Sequence, residues 1–402
     1  MASALAGLKV IEVGELVSAP YAAKLMADMG AEVIKIERPG AGDRARARGP
    51  FPGGQPHPDK SGLFLYLNAN KYGITLDLAQ PQGFELFEAL AADADVLLHN
   101  VWPPDMDRIG LNFERLARRN PRLVMTSIQP FGTTGPHRNW RAEELTAWSS
   151  GGVCVLNGGG ASHPELPPLK TSGSQAGFQA GVHGATATMG AVFARVRGGT
   201  GQHVEVSAQE SLVSQNEMVF EYWPYMGVIA TRLGRKPLQP METMQCKDGW
   251  IYVCCVEEHQ WRNFVALMGN PEWADEEIFA DRLKRGENWE ALEIFLREWV
   301  SGQTVLDLYR KAQERRVPFA PVSTMGDLLN SDHLKARGFF VEIAHPVAGL
   351  YKYPGAPIKY GATPWQIRMP APALGQHNGE ILGQRLGLSR ERLDDLKGRG
   401  VI

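Results

Sequence analysis

The chain has 402 residues, beyond the about 250–300 residues at which a single hydrophobic core stops growing, so two domains are expected. Hydrophobic residues make up 44% and charged residues 21%, as in ordinary globular proteins. The 42 basic and 44 acidic residues give a formal net charge of −2, which favours neither a nucleic-acid partner nor a polybasic membrane-binding function.

The four cysteines are Cys154, Cys246, Cys254 and Cys255, and none lies in a C-x-x-C or Cys/His spacing typical of zinc, so no metal site is expected. The N-terminal segment MASALAGLKVIEV turns polar too soon for a secretory signal, and no run approaches the about 18 apolar residues of a transmembrane helix. A cytoplasmic location is therefore expected.

The first third of the chain alternates predicted strands and helices. The predicted strands are 8–13, 32–37, 74–78, 95–100 and 123–129. The predicted helices are 20–29, 80–92 and 112–118. This alternation predicts an α/β fold with a parallel sheet and with ligand-binding loops at the carboxyl ends of the strands.

The later sequence changes character twice. Residues 173–197 are rich in Gly and Ala, which predicts a helix packed closely against its neighbours, followed by a short strand and another helix. Past residue 228, a turn, a strand and a Trp/Glu-rich helical stretch predict a smaller α+β domain.

The first strand–loop–helix unit carries no nucleotide-binding fingerprint. Its loop, residues 14–20, reads GELVSAP, without G-x-G-x-x-G, and the chain contains no GxxxxGK[ST]. The loop is either a ligand site or merely a tight crossover. Lys35, Arg38, Lys71 and Arg108 lie near predicted strand ends and are candidates for binding phosphates, although each taken singly is more often a solvated surface charge. The residues alone predict an α/β protein that binds a phosphorylated small molecule.

Sequence blocks along the chain resemble those of a known family. The opening block is LKVIEVGELVSAPYAAKLMADMGAEVIKIERPGAGD, which looks like the N-terminus of class III CoA-transferases. That group contains formyl-CoA transferase, carnitine CoA-transferase and α-methylacyl-CoA racemase. The later blocks, in family order, are NANKYGITLDL, DVLLHNVWPPDMDRIGL, SIQPFGTTGP, GTGQHVEVS and LGLSRERLDDLKGRGVI.

The resemblance implies a fold and a quaternary arrangement. Family members have a large Rossmann-like domain with an inserted smaller α+β domain, and two chains interlock like linked rings. The implied boundaries are 1–227 plus 325–402 for the large CoA-binding domain and 228–324 for the small domain. An obligate dimer is therefore expected, either of two copies of this chain or of this chain with a related subunit.

The resemblance also implies a site for CoA or an acyl-CoA thioester. The matching residues are Val17, Ser18, Arg38, Leu76, Ala79, Asn100, Val101, Trp102, Arg108, Arg141 and Glu144. Tyr72 and Ala79 stand where the family commonly has basic residues, so fewer or rearranged phosphate contacts are expected.

In this family an Asp attacks the acyl-CoA thioester to form a mixed anhydride, and the CoA thiolate then converts it into an enzyme–CoA thioester. The Asp comes shortly before a Gly-x-His, which here is residues 181–183. That alignment places Gly177 at the Asp position. Because no Asp or Glu occurs between Glu165 and Glu205, sliding the alignment does not restore a carboxylate.

Neighbouring polar residues offer few substitutes for this nucleophile. Ser172, Ser174, Gln175 and Gln179 are best interpreted as helix-entry residues, with Ser172 and Ser174 as caps, because the nearest base, His183, lies more than a helical turn from Ser174.

Glu144 matches an acidic position that lines the family's active site. It is a candidate general base, a hydrogen-bond partner of pantetheine, or a charge that caps the first turn of a predicted helix, 143–149. His137 and His163 are predicted to be solvated loop histidines.

Three functions remain open. The preferred one is the subunit without the catalytic Asp in a heteromeric succinyl-CoA:carboxylate CoA-transferase, as in benzylsuccinate CoA-transferases, with a partner that carries the Asp. The second is a racemase- or lyase-like enzyme that uses Glu144. The third is a CoA-ester binding protein without turnover.

The acyl group is not identified by the sequence. Residues of this type are more often plain core, but the apolar candidates for its pocket are Tyr222, Trp223, Tyr225, Met241 and Met244. The absence of a long glycine-rich loop near 235–250 disfavours formyl and oxalyl groups.

Overall fold

The computed structural model describes residues 3–158, 164–233 and 238–402. The chain divides into two compact units. One combines the residues up to Gly158 with Leu166–Thr231 and Phe339–Ile402, and the other consists mainly of Arg232–Gly338.

The first unit is built on a sheet of six parallel strands. They are β1 (Lys9–Val13), β2 (Glu32–Glu37), β3 (Lys71–Thr75), β4 (Val96–His99), β5 (Val124–Gln129) and β6 (His203–Ser207). Their spatial order is β3-β2-β1-β4-β5-β6, so the chain reverses direction across the sheet between β1 and β4. The α/β fold expected from the sequence is confirmed. Ligands of such sheets bind at the carboxyl edge near this reversal.

Nine α-helices accompany these strands within the described residues up to 233. They are α1 (Ser18–Asp28), α2 (Gly62–Asn68), α3 (Pro81–Ala91), α4 (Pro103–Ile109), α5 (Phe113–Ala117), α6 (Glu144–Ser150), α7 (Gln175–Val196), α8 (Ala208–Val213) and α9 (Glu217–Met226).

The second unit, in its described part, packs six short helices around a small antiparallel sheet. Its elements are β7 (Met241–Gln245), β8 (Trp250–Cys254), α10 (Glu258–Met268), α11 (Arg282–Glu287), α12 (Trp289–Ser301), α13 (Val305–Glu314), β9 (Ala320–Pro321), α14 (Met325–Asn330) and α15 (Asp332–Ala336). The sheet order is β7-β8-β9, and its core is rich in aromatic residues such as Trp261, Phe264 and Phe319.

The C-terminal segment returns to the first unit. It contains the hairpin β10 (Phe340–His345) and β11 (Gly349–Pro354), a π-helical turn at Gly379–Arg385, and α16 (Arg390–Gly398). Ile381, Leu382, Val401 and Ile402 are buried with residues of β1, β2 and α3, so the end of the chain completes the core on one face of the sheet.

The opposite face is packed by α1 and α7, whose buried residues are mostly Ala and Gly. Close approach explains this composition. A Cβ atom on Gly181 would lie 2.8 Å from the Ser18 carbonyl oxygen, and one on Gly184 would lie 2.3 Å from Cδ1 of Ile128. The expected close packing of the small-residue helix is confirmed.

The third strand lies earlier in the chain than the sequence predicts. It runs Lys71–Thr75, whereas 74–78 was expected. It starts earlier because Lys71 is buried against a carboxylate, which apolar patterning does not reveal. It ends earlier because the Asp77 amide turns to donate to the carbonyl of Val401. The helices α2 and α4 were not expected at all.

In the described parts of the chain, no helix is both long enough and apolar enough to cross a membrane.

Two glycines of α7 provide a matched test of the close packing. Gly181→Ala places a methyl group against a backbone carbonyl that cannot move aside, so a loss of about 1–3 kcal/mol in the free energy of unfolding is expected. Gly190 has none of the described atoms within 4 Å of its would-be Cβ, so Gly190→Ala is expected to stabilise the protein by about 0.5–1 kcal/mol. Urea unfolding of both variants measures the difference, and equal effects would contradict the close contact.

Candidate functional site

The loop between β1 and α1 is held in place by side chains from two neighbouring loops. Leu16 has a left-handed backbone (φ 61°), and its amide donates to Asp43 Oδ1 at 2.8 Å. The Asn100 side chain accepts from the Glu15 amide at 2.9 Å and donates to the Glu15 carbonyl at 2.8 Å. It also donates to Ser18 Oγ at 3.0 Å. Asn100, which follows β4, therefore joins two of the segments expected to contact CoA.

A buried ion cluster lies beneath this loop. Glu12 in β1 accepts from Lys35 Nζ at 2.7 Å and from Lys71 Nζ at 2.6 Å, and all three side chains are fully buried. Lys35 also lies 2.9 Å from Asp43 Oδ2, and Lys71 donates to the Pro20 carbonyl at 2.8 Å. The expectation that Lys35 and Lys71 are solvated or bind phosphates is therefore wrong, because both ammonium groups are enclosed by protein oxygens.

The two buried lysines respond differently to this environment. Burial lowers the pKa of Lys71 to about 8, against the opposing effect of Glu12. Burial also acts to lower the pKa of Lys35, but the carboxylates of Asp43, Glu12 and Glu37 outweigh it and raise that pKa. Lys35 is therefore the more firmly charged of the pair.

Three of the expected arginines remain at the surface. Arg38 directly follows β2 and is exposed, and Arg108 in α4 is exposed while donating to Asp105 at 3.1 Å. The Arg141 guanidinium stacks on the Trp102 ring at 3.8 Å. Within the described residues, the buried indole N–H of Trp102 has no hydrogen-bond partner. Exposed guanidinium groups, rather than buried lysines, are the cations available to an anionic ligand.

The remaining expected contacts differ in exposure. Leu76 is only 2% exposed and belongs to the core, so only its backbone is placed to meet a ligand, whereas Ala79 is exposed. Val101 is half-buried, and its carbonyl accepts from Gln129 Nε2 at 2.6 Å.

Glu144 and Gly177 are brought together. The Glu144 carboxylate accepts from the Ala176 amide at 2.9 Å and from the Gly177 amide at 3.1 Å, and Lys170 Nζ lies 3.7 Å away. A carboxylate there satisfies unpaired N–H groups and complements the helix dipole. Glu144 lies in the first turn of its own helix, α6, as one of its three interpretations predicts, and its carboxylate in addition caps the N-terminus of α7.

Residue 177 lies against the first loop. A Cβ atom added to Gly177 would lie 3.0 Å from Cβ and 3.1 Å from Cγ1 of Val17. A larger residue is therefore accommodated only if Val17 shifts by a few tenths of an ångström.

The other polar residues of this region do not form a nucleophile–base pair. Ser174 occupies the N-cap position of α7, but in the described structure its side chain makes no cap hydrogen bond, so the expectation that it caps the helix is wrong. Gln179 accepts from Gln215 at 2.9 Å. His183 is half-buried, and its Nδ1 has no partner among the described atoms.

Of the two histidines predicted to be solvated in loops, His137 lies in the described part of the chain. His137 is not freely solvated, because its ring stacks on Trp140 with centroids 3.7 Å apart. His163 lies outside the described residues.

The candidate acyl-pocket residues divide between the two units. Met244 is fully buried in the core of the second unit, and Met241 is half-buried in β7. Tyr222, Trp223 and Tyr225 lie on α9 and are exposed by 40%, 60% and 81%. Further exposed apolar residues of α9 and its end are Phe220, Met226, Val228 and Ile229. Exposed apolar side chains clustered on one short segment are typical of protein–protein contacts.

Sequence reasoning missed Glu12 and Asp43, which hold the first loop in place. The available signal was the charge inside strands predicted to be buried, namely Glu12, Lys35 and Glu37, because buried charges require partners. For metals, none of the described regions brings together three His, Cys, Asp or Glu side chains in a metal-binding arrangement.

Comparison with known proteins gives one consistent result. The sequence model of CoA-transferase family III matches residues 5–378. The chain is 33% identical to a subunit of succinyl-CoA:(R)-benzylsuccinate CoA-transferase from Thauera aromatica, covering 97% of this chain and 95% of that subunit. It is 30% identical to the beta subunit of succinyl-CoA–L-malate CoA-transferase from Chloroflexus aurantiacus, covering 99% and 98%. A CaiB/BaiF family protein from Brucella suis has a similar structure, with a TM-score of 0.84, 28% identity and coverage of 96% and 100%.

The buried ion cluster predicts a large difference between two lysine variants. Lys71→Met leaves the Glu12 carboxylate buried with one partner fewer, so a loss of about 3–5 kcal/mol in the free energy of unfolding is expected. The control is Lys9→Met, which removes an exposed ion pair with Asp93, and its effect is expected to be far smaller. Thermal or urea unfolding at neutral pH measures both, and similar losses would show that the cluster does not support the fold.

Proposed function

Because the chain belongs to CoA-transferase family III, we propose that it binds CoA or an acyl-CoA thioester as the subunit without the nucleophile of a heteromeric succinyl-CoA:carboxylate CoA-transferase. The observation that carries the proposal is Gly177. It lies beside Val17 of the first loop and donates its amide to Glu144, so the expected nucleophile position meets two segments of the proposed site but bears no side chain.

The carboxyl edge of the sheet supports the proposed binding of CoA. Asn100 connects the loop that precedes α1 to the end of β4, near the point where strand order reverses. Arg38, Arg108 and Arg141 are exposed and supply charge for phosphates, and Trp102 offers an aromatic face. In this proposal the large domain is the CoA-binding part of the chain and 228–324 is the small domain.

A partner that carries the Asp follows from the missing nucleophile. In the family reaction the carboxylate attack releases CoA as a thiolate and forms a mixed anhydride, and the thiolate then displaces the acid to give an enzyme–CoA thioester. Gly177 cannot take part in either step. The relatives from Thauera and Chloroflexus are named as subunits, which supports a second chain. The exposed apolar side chains of α9 are a surface for the proposed interlocked dimer.

A second candidate is an enzyme in which Glu144 is the reacting group. The specific observation in its favour is that this carboxylate is hydrogen-bonded to the Gly177 amide, so an acidic side chain lies at the position that lacks one. A racemase- or lyase-like reaction would use Glu144 as a base. The same two amide hydrogen bonds equally explain a purely structural cap.

The proposed function is tested by measuring CoA binding and CoA transfer separately. Calorimetric titration of the purified chain with CoA is expected to show binding, because the site does not depend on residue 177. Assays of CoA transfer from succinyl-CoA to a dicarboxylic acid are expected to show no turnover for the chain alone. Co-expression with a related subunit that carries the Asp is expected to produce turnover.

The control for that assay is the same complex with Asp→Asn at the partner's nucleophile, which is expected to be inactive. Vigorous transfer by the chain alone would contradict the proposed subunit role. Absence of CoA binding would contradict all three candidate functions.

Substitution at residue 177 tests the site directly. Gly177→Asp supplies a carboxylate beside the first loop, so this chain is expected to acquire a CoA thioester when incubated with succinyl-CoA. Hydroxylamine trapping followed by mass spectrometry locates the modified residue. The matched control is Gly177→Asn, which makes the same tight contact with Val17 but has no nucleophilic carboxylate.

Both variants are expected to bind CoA, and only Gly177→Asp is expected to be modified. Modification of Glu144 in the unaltered chain would favour the second candidate. Equal absence of modification in both variants would show that residue 177 does not face the thioester.

A further inference from the structure

Three side chains form a hydrogen-bonded row across the strands β4, β5 and β6. Ser127 Oγ lies 2.6 Å from His99 Nε2 and 2.8 Å from His203 Nε2. His99 and Ser127 are fully buried, whereas His203 lies on the edge strand and is partly exposed to solvent. The row therefore leads from the surface into the interior.

The buried end of this row adjoins the proposed CoA site. His99 is the last residue of β4, and the segment 100–102 follows it immediately. A second hydrogen bond, from Gln129 Nε2 to the Val101 carbonyl, also attaches this segment to the end of β5. The position of 100–102 therefore depends on how firmly the end of β4 is attached to β5.

The positions of the hydrogens determine which atom donates and which accepts in each hydrogen bond of the row. Ser127 has one hydroxyl hydrogen and cannot donate to both imidazole neighbours, and every hydrogen of the row finds an acceptor only when one imidazole donates to Ser127 and the other accepts from it. Within the described structure, Nδ1 of His99 is buried without a partner. We assign the hydrogen of His99 to Nε2, because a buried N–H without an acceptor is the rarer arrangement. His99 then donates to Ser127, and Ser127 donates to a neutral His203.

Protonation of His203 disrupts this arrangement. The Nε2 atom of a protonated imidazole is a donor, so both histidines would then point N–H groups at Ser127. Either the Ser127 hydroxyl or Nδ1 of a tautomerised His99 is left with a buried hydrogen and no acceptor. The row then holds one buried hydrogen without an acceptor, which costs free energy and weakens the attachment of the end of β4 to β5.

We propose that His99, Ser127 and His203 are positioning residues that hold the segment 100–102 in its ligand-binding position and release it when His203 becomes protonated. The proposal rests on the proposed function only in assigning that segment to the CoA site.

The charges around the row determine which histidine responds. Burial lowers the pKa of His99 to about 3, so it stays neutral at physiological pH. Burial also lowers the pKa of His203, against the opposing effects of Glu205 on β6 and Glu114 on α5. Phe113 stacks on the His203 ring and contributes no charge. His203 is therefore the group that takes up a proton as the pH falls below the range that is ordinary for histidine.

Hydrogen exchange of the full chain tests the positioning without any ligand. Exchange of peptides that cover 100–102 is measured by mass spectrometry at about pH 8 and about pH 5.5, for the unaltered chain and for His203→Gln at each pH. Because the glutamine side chain of the variant stays neutral and the intrinsic exchange rate is the same at one pH, the ratio between the two proteins isolates the effect of the proton. The unaltered chain is expected to exchange these peptides about tenfold faster than the variant at the lower pH and equally fast at the higher pH.

Calorimetric titration with CoA at the same two pH values provides the second readout. The unaltered chain is expected to lose about tenfold more affinity than His203→Gln at the lower pH, while protonation of the CoA phosphates affects both proteins alike. Ser127→Ala removes both hydrogen bonds of the row and is expected to weaken CoA binding at both pH values.

The outcomes separate the two proposals. Equal pH dependence of exchange in the unaltered chain and in His203→Gln would overturn the positioning role, whatever the CoA titration shows. A difference in exchange without CoA binding at any pH would support the positioning role and overturn the proposed function.

Discussion

The ion pairs between the Glu12 carboxylate and two buried lysines are the interactions on which the carboxyl edge of the sheet depends. An ammonium or carboxylate group in the protein interior is tolerated only when oxygen or nitrogen partners replace water. Lys35 and Lys71 find those partners in Glu12, in Asp43 and in the Pro20 carbonyl, which belong to different segments of the chain. The cluster therefore joins β1, β2, β3 and the start of α1 by interactions none of which can be broken without leaving a buried charge with fewer partners.

This cluster has a direct consequence for the candidate site. Asp43 accepts the Leu16 amide as well as pairing with Lys35, so the buried charges also set the left-handed turn of the first loop. Asn100 then attaches that loop to the end of β4. None of these contacts involves residue 177. The arrangement of this edge therefore does not depend on the side chain at residue 177, which is what the proposed role of a subunit that binds but does not react requires.

Glu144 stabilises the backbone at residue 177 and at its neighbour. The first amides of a 22-residue helix need acceptors, and the carboxylate from α6 supplies them at Ala176 and Gly177. A nucleophile at residue 177 would place a second carboxylate close to this one, and like charges raise each other's pKa. The cap is therefore compatible with the proposed binding role, and in that proposal the exposed apolar side chains of α9 are the surface for a partner subunit.

The sequence by itself determined the alternation of strands and helices and the family, because apolar periodicity and motif blocks are local properties of the chain. It also determined the absence of any acidic residue between Glu165 and Glu205, on which the proposed function depends. Only the tertiary structure decided that Lys71 begins a strand, that Glu144 caps α7 and that His203 reaches Ser127. The physical reason is that a charged or hydrogen-bonding side chain is placed by its partner, and the partners here lie tens of residues away in the sequence.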